Sequence, residues 1–302
     1  MDVKKDPAHL LFTDRELWLI TIYAELAGIL DKEHEQHLSF PNLSDANKER
    51  LRRDINTLLH FFSSRISIYH NPGSRLGNVD LADLDRGYWK YYSDNRYAGY
   101  EKSEKPMECI PSARDSNKFE LKVNVAADTI PIRQDIGWDI SHARRLVHAL
   151  DALDRNRKAM ENIFGIHDQI IPLKSLDSAF ANSLAAVVWN GDSLKPLFTN
   201  YWCGANGWYR VAYENGTGQC REGDPPYGLT DSFCIGGYSA WARFRPIIGE
   251  LGKRLYELES SADQESSDFM ANYYRKISKG FPERGRNLNN FMFLPSLVKV
   301  GI

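Results

Sequence analysis

A chain whose apolar residues recur at helical spacing behind recognisable helix starts is bound to pack helices, and this one opens that way. Thr13 and Glu16 in TDRE form a capping-box pattern, and Leu17, Ile20, Tyr23, Leu26, Ala27 and Leu30 follow on one side. From Ser44 a second run reads through ANKERLRRDINTLLHFFSSRISIYH with Leu51, Ile55, Leu58, Leu59 and Phe62 aligned, and the turn formers Asn71, Pro72 and Gly73 end it. Asp139 has the character of an N-cap, and Ile140, Ala143, Val147, Leu150 and Leu153 after it share a face. An aromatic-rich companion helix is expected at about 75–98, and further helices at 173–190, 196–213, 228–243, 246–260 and 265–279. Residues 99–136 lose helical periodicity, contain Pro106, Pro111 and Pro131, and include FELKVNVA at 119–126, whose alternation predicts one short strand. The expected fold is therefore all-α, about nine helices with minimal β-structure, in a single helical domain over 1–302 with an irregular connection at about 99–136. No unit of about 20 to 50 residues repeats, so a solenoid has no support from the letters.

Charge and cysteines narrow the function. Lys and Arg number 38 against 40 Asp and Glu, and the net charge of -2 gives no bulk drive toward nucleic acid or anionic lipid, so neither partner is expected. No stretch approaches the roughly 20 apolar residues that span a bilayer, and MDVKKDPAHLLFTDRELW lacks a signal peptide's apolar block. The expectation is a soluble protein, periplasmic or secreted if a leader has been removed and cytoplasmic otherwise. Cys109, Cys203, Cys220 and Cys234 are too few and too unevenly spaced for a disulfide scaffold. They read as small buried hydrophobes, with a Cys203–Cys220 bridge as the main alternative. No Cys or His pair has zinc-ligand spacing, so no metal or cofactor is expected, and Gly-x-Ser-x-Gly, P-loop and GxGxxG patterns are missing.

Aromatic residues are the enriched class, at 12% of the chain, and they gather in three glycine-bearing stretches. These are GWDISHARR at 137–145, YWCGANGWYR at 201–210 and PPYGLTDSFCIGGYSAWARFR at 225–245. Trp138, His142 and Arg145 follow at steps of four and three on a single helical side. Asn206 and Tyr209 share a side if their segment is helical, and Tyr227 and Asp231, then Tyr238 and Trp241, stand four and three apart. Each has a plainer reading. His142 is then a satisfied structural histidine, Asn206 an amide capping a helix beside Gly207, Tyr209 a core residue, and Asp231 an N-cap.

Together these stretches resemble the (α/α) toroid enzymes that cut polysaccharides, both uronate lyases and several glycoside hydrolases, over Gly137 to Arg245. The resemblance implies a helix-hairpin toroid or incomplete barrel, with a cleft where aromatics stack on sugar rings and polar groups do acid–base work at one linkage. On that basis Trp138, Trp202, Trp208, Arg210, Tyr227, Tyr238 and Trp241 are candidate substrate-binding residues, and a polysaccharide or oligosaccharide is the expected partner.

Two chemistries fit those residue types. In β-elimination a cationic or amide group neutralises a uronate carboxylate while a Tyr or His takes the adjacent proton. Asn206 and Arg145 would serve the carboxylate, with His142 and Tyr209 as proton-transfer groups. The arginines Arg144, Arg145, Arg210, Arg243 and Arg245 have the fork geometry that suits an anionic sugar. Hydrolysis needs two carboxylates about 5 to 9.5 Å apart. Asp139 and Asp231 are the obvious pair, with Glu214 or Asp224 as substitutes. A third possibility is a non-catalytic helical module that binds glycan or protein, in which His142, Asn206 and Tyr209 would point into separate environments.

Overall fold

The computed structural model describes residues 12–36, 44–87, 105, 107–115, 117–124, 135–167, 173–209, 213–214, 220–278, 293–294 and 296. Helix α1 (Asp14–Gln36) begins as its letters ask: the Thr13 amide donates to Glu16 Oε2 at 2.6 Å, the reach-back half of a capping box. Helix α2 (Asp45–Arg65) is capped by Ser44 Oγ, which accepts from the Asn47 amide at 3.3 Å. It stops at Arg65, five residues short of the expected end, because Ile66, Ile68 and Tyr69 are β-branched and aromatic and fit a pleated surface better than a helix. They form β1 (Ile66–Ser74), which folds back on β2 (Gly77–Leu84) as an antiparallel hairpin with Ile66 opposite Leu84 and His70 opposite Asp80.

That hairpin corrects the all-α expectation, since β2 occupies the first part of the predicted helix at 75–98; residues 88–98 lie outside the described residues. A second antiparallel pair joins β3 (Met107–Pro111) to β4 (Phe119–Val123), the latter inside the predicted strand at 119–126. A minimal third pair joins β5 (Tyr213–Glu214) to β6 (Cys220–Arg221). The molecule mixes helices with antiparallel strands rather than forming a toroid of helix hairpins with minimal β-structure. The physical reason is local: glycine and asparagine turns at 71–77 and 190–207 interrupt what apolar periodicity alone would have continued.

The core is built on β2. Its last residues Leu81, Ala82, Asp83 and Leu84 are buried because α6 (Leu173–Ser183) covers them. Ala82 is held at both backbone atoms by Ser183 Oγ, at 2.9 and 2.7 Å, and its carbonyl also accepts from Trp202 Nε1 at 3.0 Å. Helix α1 packs on α4 (Arg145–Arg155) and α5 (Arg157–Phe164), and the short α3 (Ile140–Ala143) leads into α4. A single π-helical turn (Leu184–Val188) ends the α6 run, so the predicted helix at 173–190 is α in its first part only. Across the expected helix at 196–213 the described residues are not helical but a looped platform, in which Trp189 bridges Phe198 and Tyr209 bridges Asp224. The predicted helix at 228–243 resolves into α7 (Ser232–Ile235) and a 3-10 turn (Tyr238–Arg243), divided at Gly237, which has a positive φ of 75°. The expected helix at 246–260 holds as α8 (Pro246–Ser260), while that at 265–279 is divided at Tyr274 into α9 (Gln264–Tyr273) and the single turn α10 (Arg275–Ser278). Among the described residues no helix is long and apolar enough to cross a membrane.

The expectation of small buried thiols holds for Cys203 and Cys234 but not for Cys109 and Cys220, and the alternative Cys203–Cys220 bridge does not form. Cys109 on β3 is bonded to Cys220 on β6, because β4 lies against β6 and draws the β3–β4 pair to it, while Cys203 and Cys234 are free thiols buried in the core. The bridge closes a loop across 111 residues, and a crosslink of that span stabilises by roughly 2–5 kcal/mol. Reduction under non-denaturing conditions, or Cys109→Ser, is therefore expected to lower the thermal midpoint by several degrees, and Cys203→Ser is expected to show no loss of reductant sensitivity.

Asp177 on α6 is buried, and its Oδ1 meets no hydrogen-bond donor among the described residues. Burial pushes its carboxyl up to about 7 against the pull of Arg243, and the nearby Asp154 and Asp151 add to the rise. A carboxyl whose folded value lies above its unfolded value binds its proton more tightly in the fold, so this contribution falls as pH rises from about 4 to about 7. Asp177→Asn is expected to be more stable than the parent at pH 8, by on the order of a few kcal/mol. The gap should narrow as the pH is lowered to 5, measured by chemical denaturation.

Candidate functional site

Three segments meet at one carboxylate. Residues 137–140 and 200–202 run antiparallel: the Ile140 amide donates to Asn200 O at 2.9 Å, the Trp202 amide to Trp138 O at 2.8 Å, and Asp139 pairs with Tyr201. Gly137 permits this, since a Cβ there would stand 2.5 Å from the Leu84 carbonyl of β2. Asp139 then faces inward, 1% exposed, as the N-cap of α3. Its Oδ1 accepts from the amides of Ser141 at 2.9 Å and His142 at 3.0 Å and from Ser141 Oγ at 2.5 Å. Its Oδ2 accepts from the His142 ring at Nδ1 (2.5 Å) and from the Tyr209 hydroxyl (3.2 Å). Burial alone would raise this carboxyl; the His142 charge and the hydrogen bonds from His142 and Ser141 outweigh it and hold Asp139 well below the usual carboxylate range.

The consequence lies in the imidazole. With Nδ1 turned to a buried carboxylate, the proton belongs on Nδ1 and the lone pair on Nε2, and the ring keeps one orientation. The His142 side chain is 38% exposed while its anchor is closed to water. Tyr209 is buried, its ring edge-on to Tyr201 at 5.5 Å, and its backbone is tied to Asp224 in both directions at 2.9 Å. The structure thus brings together His142, Tyr209 and Asp139 from the expected set.

The other expected residues stand elsewhere. Asn206 Oδ1 accepts from the amides of Asn200 at 3.2 Å and Tyr227 at 2.8 Å, so it pins the 200–209 loop to the turn at 225–229. Asn200, fully buried, completes that pin through Gly207 O, Pro225 O and the Leu229 amide. Tyr227 sits in this turn with a positive φ of 59°. Arg145 donates to Ser141 O at 2.8 Å and pairs with Asp14 at 3.5 Å, locking the start of α4 to the start of α1. Asp231 stands at the N-cap position of α7 but makes no capping bond; it is buried and faces Lys276 at 3.3 Å, and burial raises its carboxyl against that cation.

Trp202, Tyr238 and Trp241 are fully buried and pack on one another, the two tryptophans also on Phe180, and Trp138 is buried against Phe12 with its Nε1 toward Asp85 at 3.4 Å. A ring closed on both faces offers no surface to a sugar, so the stacking expectation does not hold for these four. Burial pushes Asp85 up to about 6 even with Arg65 beside it. Trp208 is half-buried beneath Lys105, whose ammonium lies 5.0 Å from its ring centre. Arg210 lies outside the described residues.

Sequence reasoning passed over Trp18. It lies off the apolar stripe of α1, 46% exposed, and stacks at 12° on His148 with centroids 6.3 Å apart. A tryptophan on the solvent side of an amphipathic helix is a signal readable from the letters. The chain matches no family model, no curated protein and no solved structure.

Since Asn206 works through its carbonyl oxygen on two backbone amides, Asn206→Ala leaves both donors without that acceptor and is expected to cost about 1–3 kcal/mol in thermal or denaturant unfolding. Asn206→Asp keeps both acceptor contacts and is expected to lose clearly less.

Proposed function

We propose that this protein cleaves a uronic-acid-containing polysaccharide by β-elimination, with His142 as the proton-transfer group. The observation that carries the reading is the 2.5 Å contact between His142 Nδ1 and the buried carboxylate of Asp139, on a ring that still reaches solvent. A carboxylate fixed at Nδ1 orients Nε2 as a base and stabilises the imidazolium that forms when it takes a proton. In the reaction the Nε2 lone pair takes the proton beside the uronate carboxylate. The electrons of that C–H bond become the new carbon–carbon double bond, the glycosidic bond β to the carboxylate breaks, and the departing oxygen takes up a proton, which the imidazolium holds. Tyr209 is a positioning residue in this scheme, since its hydroxyl donates to Asp139 and its ring is buried.

Elimination fits these residues better than hydrolysis. Asp139 is closed to water and bound by donors at both oxygens, and Asp231 is buried against Lys276, so neither is placed to flank a glycosidic bond. A purely structural histidine, as a binding module would have, needs no exposed edge and no buried acid behind it. The Cys109–Cys220 bridge supports action in an oxidising compartment, periplasmic or extracellular.

The test is incubation with a panel of acidic and neutral polysaccharides, followed by near-ultraviolet absorbance from the unsaturated product. Acidic polymers should yield it and neutral ones should not. His142→Ala is expected to lower the rate by about 10²- to 10⁴-fold, and Tyr209→Phe by a smaller factor with the fold intact. New reducing ends without absorbance, or full activity in His142→Ala, would overturn the reading.

A further inference from the structure

From Ile140 to Leu150 the residues that are not buried are Ser141, His142, Arg144, Arg145 and His148. At about 100° per residue these five fall on one continuous arc of the α3–α4 rod, with His142 at one edge and Arg144 at the other. The arc carries two imidazoles, two guanidiniums and a hydroxyl, and no carboxylate. His142 is turned to Asp139 and Arg145 to Ser141 O and Asp14, as described above. Arg144 is different. It is half-buried, and among the described residues it makes neither a hydrogen bond nor an ion pair, whereas Arg155, Arg157 and Arg243 each hold a carboxylate. Burial and the adjacent Arg145 lower its pKa, while Tyr238, Asp231 and Asp139 raise it. Those two carboxylates act on it only at a distance, being engaged with His142 and Lys276.

Gly236 and Gly237 pack close against the strip: a Cβ on Gly236 would come within 2.7 Å of Arg144 Cβ, so the missing side chain lets this backbone approach without covering the strip further, and a Cβ on Gly237 would lie at an ordinary contact distance from the His148 ring, 3.9 Å. Trp18 projects from α1 and stacks on His148, four residues along the strip from Arg144. A planar five-donor fork with no acceptor among the described residues, four residues before the imidazole on which an exposed indole stacks, and at the opposite edge of the arc from an oriented imidazole, matches a sugar that carries a carboxylate.

We propose that Arg144 receives the carboxylate of an anionic sugar residue, with Trp18 as the flat surface against which a ring of the same chain lies. This deepens the elimination reading and rests on it for the chemistry, but not for the binding. Arg144 then takes the role that Arg145 and Asn206 are not placed to play, neutralising the carboxylate so that the neighbouring proton becomes removable.

The experiment is calorimetric titration of the full, disulfide-bonded chain with hexauronides built from galacturonate, mannuronate or glucuronate, beside neutral hexasaccharides, at low and moderate salt. At least one hexauronide should bind and the neutral sugars should bind more weakly. Arg144→Ala should weaken binding by about 10- to 100-fold and flatten its salt dependence, with Arg144→Lys recovering part of it. Trp18→Ala, a surface change that leaves the core intact, should weaken binding by about tenfold. Arg155→Ala, on the same helix but beyond the strip, should bind like the parent. His142→Ala should keep the affinity while losing turnover. Failure of every hexauronide to bind, or parental affinity in both Arg144→Ala and Trp18→Ala, would overturn the proposal. If binding depends on Arg144 while no unsaturated product ever forms, the subsite stands and the elimination reading falls.

Discussion

The carboxylate of Asp139 is the point on which the arrangement depends. A buried charge is tolerable only where donors replace the water it has lost, and here those donors are the first amides of α3, the Ser141 hydroxyl, the His142 ring and the Tyr209 hydroxyl. Each belongs to a different requirement of the fold. The amides start the helix that becomes α4, the imidazole is held at the surface, and the phenol ties in the 200–209 platform. With Asp139 removed, these three would have no common reference.

The platform itself is held by amides rather than by apolar contact. Asn200 and Asn206 together satisfy backbone groups in the 207–229 region that no regular ladder reaches, and this is why a stretch rich in Tyr, Trp and Gly forms a loop of fixed shape. Gly204, with a positive φ of 86°, gives the reversal that lets the Tyr201 amide reach the Ala205 carbonyl at 3.1 Å. The aromatics then divide by position. Tyr201, Trp202 and Tyr209 turn inward and close the core, while Trp208 stays half-buried under Lys105.

What was legible in the letters was whatever is decided within one helical turn. The capping box at Thr13, the Ser44 and Asp139 caps and the apolar stripes of α1, α2 and α4 are local properties, and they appear where expected. The β1–β2 hairpin was not legible because Ile66–Tyr69 follows a strong helix without a break, and β2 gains its place only through α6, about a hundred residues later. The Cys109–Cys220 pairing was hidden for the same reason, since it follows from how β4 meets β6. Within the site, the grouping of His142 with Asp139 is a three-residue matter and readable, although the letters alone offer Asp139 as an N-cap or a hydrolase acid and not as the anchor of the imidazole. Tyr209 reaches the same carboxylate only through the loop closure that Asn200 and Asn206 impose.

The same tension explains why most of the tryptophans are poor guides to a ligand here. An indole inside the apolar pattern is worth most to the fold when both faces are covered, and Trp138, Trp202 and Trp241 are used that way. An indole outside the pattern has no such use. Trp18 gains only a partial contact with His148 and keeps nearly half its surface in water, and four residues before that histidine stands an arginine that no carboxylate among the described residues holds. A fold that places both along a cationic strip whose other edge holds an imidazole fixed by a buried acid has put its least satisfied groups on the face where proton transfer is proposed. Residues whose side chains are not accounted for by packing, pairing or capping are therefore the better indicators of function in this chain, and aromatic richness by itself is the weaker one.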